Sequence, residues 1–149
     1  DIGLINKLTD FCNSKSMNYS FYSKVNFGNI KDSKIIIIDE IGILADLYKF
    51  TLFSYIGGGF GKGVHSTLEP AVYGNVTCFG NNIQLLDEAI EMVKRNCGFV
   101  IENHSDCFDI LKKTFIDTEF QKEVREKCNN FIEQKFDNTK KIIEAITNV

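Results

Sequence analysis

The sequence predicts an α/β fold, an open and mostly parallel sheet with helices on both faces. Short extended segments alternate with helical ones along the chain of 149 residues, and this alternation is typical of βαβ units with right-handed crossovers. The segment Ile35 to Ile38 consists only of isoleucine. A run of β-branched residues without polar alternation indicates a strand buried on both faces, as in a parallel sheet covered by helices.

The individual elements follow from hydrophobic spacing. Apolar residues recur at helical spacing in residues 2–12, which predicts a helix, and a short extended stretch, Tyr19 to Tyr22, follows a polar turn. After the isoleucine strand we expect a helix over 41–49, a strand over 52–56, a helix over 67–73, a strand over 76–79, a helix over 85–95 and a strand over 99–101. Three helical stretches, 105–115, 119–135 and 138–147, complete the chain.

The composition predicts an ordinary acidic globular domain and excludes several classes. With 44% hydrophobic and 25% charged residues the chain is not disordered. Its 17 Lys and Arg against 20 Asp and Glu leave no excess positive charge for phosphates, so we expect no nucleic-acid partner. The five cysteines form no C-x-x-C pair and no zinc spacing, which favours reduced, buried thiols and no metal site. The apolar runs are far shorter than the ~20 residues of a membrane-spanning helix.

Glycine is concentrated directly after the predicted strand 52–56. Five of the eleven glycines fall within residues 57–63, and the only proline is Pro70. In open parallel sheets, ligands bind outside the carboxyl ends of the strands. Glycines there let a ligand approach the backbone, and the helix that follows directs free N–H groups at it, so the loop predicts a site for an anionic group.

The loop matches neither common phosphate motif. G-x-G-x-x-G finds no match in residues 57–66, and Gly63 stands where the Walker pattern needs Ser or Thr. A loop that is merely flexible or tightly turned therefore remains an alternative.

The helix after the loop can begin in two registers. Ser66 and Glu69 have the spacing of a capping box, in which both serve only to cap the helix. With Thr67 as N-cap, Pro70 falls instead at the third helical position, where no donor is needed. Glu69 is then freer to face a ligand, and its carboxylate suits the hydroxyls of a nucleotide or nucleotide sugar. His65 is more often structural than catalytic, because a lone histidine carries little information.

Residues 36–88 contain several motifs in a fixed order. DEIGIL at 39–44 has the form Asp-x-x-Gly-x-Leu, GGGFGKG at 57–63 is followed by HSTLE at 65–69, and FGNN stands at 79–82. Together these motifs resemble the donor-binding part of 3-deoxy-D-manno-octulosonic acid (Kdo) transferases, which have a Gly-Gly loop and a His-Asn-x-Leu-Glu helix start. The GGGFGKG loop and the later Phe-Gly-x-Asn are most similar to Bacteroidetes-type members.

The resemblance implies a two-domain GT-B glycosyltransferase that transfers Kdo from CMP-Kdo to lipid A precursor, with inversion and without a metal ion or other cofactor. Residues 1–149 would be a partial, Rossmann-like C-terminal domain that binds the nucleotide sugar, and the N-terminal acceptor domain would be absent. Because the sequence begins with Asp1 rather than Met, we expect further chain upstream. The partners would be CMP-Kdo, the lipid A precursor through the missing domain, and a membrane surface. The whole enzyme would lie at the cytoplasmic face of the bacterial inner membrane, and the fragment itself would be soluble.

The resemblance also implies which residues hold the donor. Backbone groups and the helix N-terminus would bind the phosphate of CMP, and Glu69 would bind the ribose. The donor-binding residues would be Ile41, Gly42, Ile43, Gly58, Gly59, His65, Ser66, Thr67, Leu68 and Glu69. The family's catalytic carboxylate lies in its N-terminal domain, so no catalytic residue is expected in this chain. Alone, the chain is expected to bind CMP weakly and to transfer nothing.

Three positions depart from the family pattern. Ser66 replaces the usual asparagine, Val64 replaces a glycine found in many members, and Asn81 replaces a common proline. Serine reaches less far than asparagine, so we expect the phosphate contact to be altered or bridged by water. Two alternatives stay open: a GT-B transferase that uses another nucleotide sugar, and a non-catalytic α/β interaction domain in which the glycine loop is only a turn.

Overall fold

The computed structural model describes residues 2–24 and 32–147 and divides into two compact units, Asp1–Ile43 and Leu44–Val149. The first unit contains helix α1 (Ile2–Ser14) and strands β1 (Tyr19–Phe21) and β2 (Ile35–Ile37). These two strands pair in parallel, with Tyr19 opposite Ile35. The predicted first helix and both predicted strands are confirmed.

Strand β2 is less buried than its isoleucines predict. Ile37 is 7% exposed, but its neighbour Ile36 is 43% exposed. Successive side chains of a strand point to opposite faces, so only one face of β2 is covered within this unit. The expectation of burial on both faces is wrong here, because the side of β2 that carries Ile36 is left uncovered.

The second unit carries a three-stranded parallel sheet of order β3-β4-β5. Its elements are α2 (Leu44–Leu47), β3 (Phe53–Ile56), α3 (Leu68–Val72), β4 (Val76–Gly80), α4 (Asp87–Lys94), β5 (Gly98–Ile101), α5 (His104–Ile116) and α6 (Thr118–Thr147). The predicted alternation of strands and helices is confirmed. A 3-10 turn over Tyr48–Phe50 joins α2 to the approach of β3.

Helices cover both faces of this sheet. All five residues of β4 are buried, and its neighbours Cys78 and Phe79 point to opposite faces. On one face Phe79 packs in a cluster with Ala89 of α4. On the other face the Sγ atom of Cys78 lies 3.8 Å from that of Cys107 on α5. The predicted fold, a parallel sheet between helices, is therefore confirmed in this unit.

Two predicted helices have different bounds. The helix expected over 41–49 is shortened to α2 and the following 3-10 turn, because Gly42 has a φ of +96° that a right-handed helix does not accept. The helices expected over 119–135 and 138–147 are one continuous helix, α6, of 30 residues. The expected break is wrong, since this segment contains neither Gly nor Pro.

Helix α6 packs against the core of the second unit. Val124, Cys128 and Phe131 of α6 form one buried cluster with residues of α3, α4 and β4. The carboxylate of Glu91 on α4 pairs with Lys135 of α6 at 3.0 Å and with Arg95 at 2.7 Å. Both cations lower the pKa of Glu91. Among the helices of residues 2–24 and 32–147, none is both long and apolar enough to cross a lipid bilayer.

A buried asparagine holds the approach to β3. The side-chain amide of Asn75, which is 1% exposed, lies within hydrogen-bond distance of three acceptors. It donates toward the carbonyl of Tyr48 at 3.1 Å, the Thr51 hydroxyl at 2.6 Å and the Ser54 hydroxyl at 3.2 Å. One side chain just before β4 thus fixes the segment that leads into β3.

Candidate functional site

The glycine loop after β3 is a closed turn. The N–H groups of Gly61 and Gly63 both donate to the carbonyl of Gly58, at 2.9 and 3.2 Å. Gly58 has a φ of +91°, and a Cβ there would lie 2.1 Å from the carbonyl oxygen of Gly63. Only glycine fits this position, because the turn needs both a left-handed backbone and the space of the missing side chain.

The loop is also fixed to the end of the neighbouring strand. A Cβ on Gly59 would lie 2.6 Å from the nitrogen of Gly80 on β4, so the two backbones are in direct contact. Asn82 donates its backbone N–H to the Gly59 carbonyl at 2.9 Å and its side-chain amide to the Gly61 carbonyl at 2.7 Å. The loop is therefore a packed part of the sheet end rather than a free connector.

Helix α3 begins in the register that frees Glu69. Thr67 is the N-cap, with no side-chain capping bond, and Leu68 is the first helical residue. Pro70 is consequently third in the helix, where its missing N–H is not needed. The capping-box interpretation of Ser66 and Glu69 is wrong, because Ser66 lies one residue outside the cap.

A cavity of about 420 Å³ extends along β3, from Thr51 before the strand to Gly57 after it, and reaches the start of α3. Its walls come from α2 and the following 3-10 turn, from the exposed edge of β3, and from the start of α3. The lining residues at the α3 side are Gly57, His65, Ser66 and Glu69, and those at the α2 side include Leu44 and Tyr48. The structure thus brings His65, Ser66 and Glu69 together around one space.

The other predicted site residues of this unit have supporting positions. Gly58 and Gly59 form the turn and its contact with β4, while Leu68 packs against the buried core cluster. What Leu68 can offer a ligand is its backbone N–H, which lies in the first turn of α3. The hydroxyl of Thr67 is buried, the residue being 1% exposed, and has no hydrogen-bond partner among the described residues.

The predicted residues Ile41, Gly42 and Ile43 belong to the first unit. The side chain of Ile41 is fully exposed there. Asp39, which begins the same motif, accepts hydrogen bonds from the N–H of Ser23 at 2.9 Å and from its hydroxyl at 2.5 Å. These bonds lower the pKa of Asp39. The aspartate of this motif therefore holds the backbone that follows β1.

The electrostatics of the cavity limit how it can bind an anion. Neither Lys nor Arg is among the residues that line it, and Glu69 brings a negative charge. Burial, together with the charge of Glu69, raises the pKa of the Tyr48 hydroxyl. Tyr48 therefore stays protonated and remains a hydrogen-bond donor at neutral pH. A phosphate here would depend on backbone N–H groups and hydroxyls, and Glu69 would be free to accept bonds from a sugar.

The donor-binding residues expected from the sequence did not include Leu44, Tyr48 or Asn75. Leu44 ends the Asp-x-x-Gly-x-Leu motif, so a signal for it was present, and it lines the cavity together with Tyr48. The side-chain amide of Asn75 donates a hydrogen bond to the carbonyl of Tyr48, which lies 27 residues earlier in the sequence. No pattern in the sequence indicates this last contact, because it exists only when β3 and β4 are paired.

Comparisons with known proteins bear on this arrangement. No protein-family model matches the sequence. The chain is 29% identical over 131 residues to a bifunctional glycosyltransferase/methyltransferase of Fusobacterium nucleatum, an alignment that covers 86% of this chain and 20% of that protein. It is 32% identical over 79 residues to the 3-deoxy-D-manno-octulosonic acid transferase of Rickettsia typhi, covering 52% of this chain and 17% of the relative. The corresponding transferase of Aquifex aeolicus is 28% identical over 94 residues, covering 62% and 26%.

The chain is similar in sequence to several Kdo transferases. Among solved structures, the C-terminal CMP-Kdo binding domain of WaaA from Acinetobacter baumannii superposes with a TM-score of 0.76 at 16% identity. The superposition covers 85% of this chain and 67% of that domain. The resemblance to Kdo transferases and the predicted fold class are therefore confirmed. The chain spans only about a fifth of the length of the curated relatives, and the closer likeness to Bacteroidetes-type members stays a prediction.

Proposed function

We propose that this chain is the donor-binding part of a glycosyltransferase that uses CMP-Kdo. The observation that carries the proposal is the cavity at the start of α3, where His65, Ser66 and Glu69 meet beside a glycine loop packed on the sheet. It extends along β3 to the carboxyl end of this parallel strand, and such sheets bind nucleotides at the carboxyl ends of their strands. The relation to Kdo transferases then points to CMP-Kdo as the nucleotide sugar.

The geometry assigns a part of the donor to each wall. The first-turn N–H groups of α3 and the hydroxyl of Ser66 are donors suited to the phosphate. The Glu69 carboxylate is an acceptor suited to ribose hydroxyls, and the protonated Tyr48, which lines the same cavity, is a further donor. Ile41, Gly42 and Ile43 are proposed to contact CMP as well, on the basis of their place in the family motif.

The proposal extends to the whole protein, of which residues 1–149 would be part of the C-terminal domain. In it an N-terminal acceptor domain receives the lipid A precursor at the cytoplasmic face of the inner membrane, and Kdo is transferred with inversion and without a metal ion. The relatives, several times longer than this chain, support a larger enzyme. We expect no transfer by the chain alone, because the catalytic carboxylate would lie in the N-terminal domain.

A titration followed by NMR tests the donor assignment. CMP, UMP and GMP are added in turn to the isotope-labelled chain, and CMP is expected to shift signals of residues 40–43 and 57–69 most strongly. Stronger shifts with UMP or GMP at the same residues would indicate a transferase for another nucleotide sugar. Titrations without shifts for all three nucleotides would favour a non-catalytic interaction domain.

A matched pair of substitutions tests the role of Glu69. Glu69→Gln removes the charge but keeps the shape, and it is expected to weaken CMP binding about 5- to 150-fold, the equivalent of about 1 to 3 kcal/mol for a hydrogen bond to a charged group. Glu126→Gln makes the same change on the exposed surface of α6 and is expected to leave the affinity unchanged. Equal affinities for the two variants would contradict the ribose assignment.

A further inference from the structure

Two cysteine thiols face each other between the central strand and α5. The Sγ atoms of Cys78, on β4, and of Cys107, the fourth residue of α5, are 3.8 Å apart. A disulfide has a sulfur–sulfur distance of about 2.05 Å, so the two atoms need to approach by about 1.8 Å. A partial rotation about the Cα–Cβ bond of one cysteine moves its sulfur by such a distance.

The pair can be reached from one side. Cys107 is partly exposed and lines a cavity of about 580 Å³ together with Tyr55, Phe60 and Phe108. Cys78 lies behind it and is 0% exposed. A small reagent that enters the cavity therefore meets the Cys107 sulfur first.

Cys97 and Cys128, two other thiols of this unit, also interact with each other, but neither is accessible from the surface. Both are 0% exposed and lie in the core cluster under α6. The Cys97 thiol donates to the carbonyl of Met92 at 3.5 Å, and the Cys128 thiol lies 3.8 Å from the carbonyl of Cys97. Neither of them lines the cavity that exposes Cys107, so they form an internal control for accessibility.

We propose that Cys78 and Cys107 form a thiol–disulfide site that reacts with low-molecular-weight disulfides of the glutathione type. The Cys107 thiolate attacks one sulfur of the disulfide, forms a mixed disulfide and releases one small thiol. The Cys78 thiol then attacks the Sγ atom of Cys107, gives up its proton and displaces the second small thiol. Two protein thiols are oxidised by two electrons, and one small disulfide is reduced to two thiols.

The order of the two steps follows from the surroundings of the sulfurs. Burial, and the neighbouring Cys107, raise the pKa of the Cys78 thiol above its usual range. Because the thiolate is the nucleophile, Cys78 is a poor starting point and its attack on the mixed disulfide is the slower step. A mixed disulfide on Cys107 is therefore expected to appear before the internal crosslink.

The crosslink would act close to the glycine loop. Gly80, two residues after Cys78, is the contact point of Gly59, and Phe60 lines the same cavity as Cys107. Oxidation thus links β4, whose end contacts the glycine loop, covalently to α5, which lines the cavity at Cys107. This cavity is not the one proposed for the donor, but Tyr55 lines both of them.

Peptide mapping after controlled oxidation tests the proposal. The reduced chain is incubated with glutathione disulfide, quenched in acid, alkylated under denaturing conditions, and digested without reductant. We expect a linked peptide that contains Cys78 and Cys107, and alkylation of Cys12, Cys97 and Cys128. Oxidation of Cys97 and Cys128 at the same rate would overturn the proposal, because it would show that the thiols react through unfolding.

Three variants separate the two steps. Cys78→Ser is expected to stop at a glutathione adduct on Cys107, whereas Cys107→Ser is expected to take up no glutathione at Cys78 in the same time. Cys97→Ser is the matched control and should oxidise like the unchanged chain. Uptake at Cys78 in Cys107→Ser, or a stable Cys107 adduct without crosslink in the unchanged chain, would refute the mechanism. Circular dichroism verifies the fold of each variant. If Cys78→Ser does not fold, the accessibility order is tested by counting the fast-reacting thiols of the unchanged chain, and we expect one.

Discussion

The substitution Gly59→Ala should disrupt the contact between the glycine loop and β4, and with it the candidate site. An alanine Cβ there would lie 2.6, 2.7 and 2.8 Å from three backbone atoms of Gly80. Ordinary contacts of a Cβ begin at 3.4 Å, so one of the two backbones must move by roughly 0.6 to 0.8 Å. Neither can move freely, because Gly80 lies in a fully buried strand and the Gly59 carbonyl accepts the N–H of Asn82 at 2.9 Å.

The magnitude follows from these contacts. Overpacking of this kind costs about 1 to 3 kcal/mol, and loss of the Asn82 hydrogen bond costs about 1 kcal/mol more. The sum of about 2 to 4 kcal/mol corresponds to a fall in Tm of about 4 to 16 °C for a chain of this size. CMP affinity should fall as well, because the loop that leads to His65 is displaced.

Gly57→Ala supplies the matched control within the same loop. A Cβ at Gly57 meets no atom within 4 Å, and its φ is not in the left-handed region. Thermal unfolding followed by circular dichroism should give Gly57→Ala a Tm within about 1 °C of the unchanged chain. If Gly59→Ala melts at the same temperature as Gly57→Ala, the loop is not packed on β4 as described.

Three further predictions concern the residues around the cavity. The Glu69→Gln variant should bind CMP about 5- to 150-fold more weakly than Glu126→Gln in calorimetric titration. Folding raises the pKa of Tyr48 above its ordinary value of 10.0, so the folded chain keeps this proton at a higher pH than the unfolded chain does. The stability that this proton contributes is therefore lost as the pH rises from about 10. Tyr48→Phe should therefore show a smaller fall in Tm between pH 9 and 12, measured by thermal unfolding, and an identical fall would contradict the assignment. Asn75→Leu removes the amide bonds to the β3 approach and should lower the free energy of unfolding by about 2 to 4 kcal/mol, visible as a lower midpoint in urea.

The glycine loop shows how far local sequence carries a prediction. Strand 52–56, the loop and the helix start all follow from adjacent residues, and the position of Pro70 selects Thr67 as N-cap by a purely local rule. The structure confirms that register. Local rules do not explain why the loop is packed on the sheet. It is held there by the contact between Gly59 and Gly80, which are 21 residues apart in sequence.

Errors in the element bounds have equally physical causes. The break expected near residue 137 does not occur, because packing of Val124, Cys128 and Phe131 on the core supports one long helix that has no Gly or Pro to end it. The isoleucine run was expected to be buried on both faces, yet Ile36 is exposed. Composition indicates that a strand is apolar, but neighbouring elements decide which of its faces are covered.

By itself, the sequence determined the parallel α/β class, the place of the candidate site at the end of β3, and the relation to Kdo transferases. These depend on periodicity, on glycine and proline positions, and on short contiguous motifs, all of which act between near neighbours in the chain. Only the tertiary structure decided that Tyr48 and Glu69 line one cavity, that the Asn75 amide donates to the Tyr48 carbonyl, and that Cys78 meets Cys107. Each of these contacts joins elements that come together only when the strands pair, so no local pattern in the sequence indicates them.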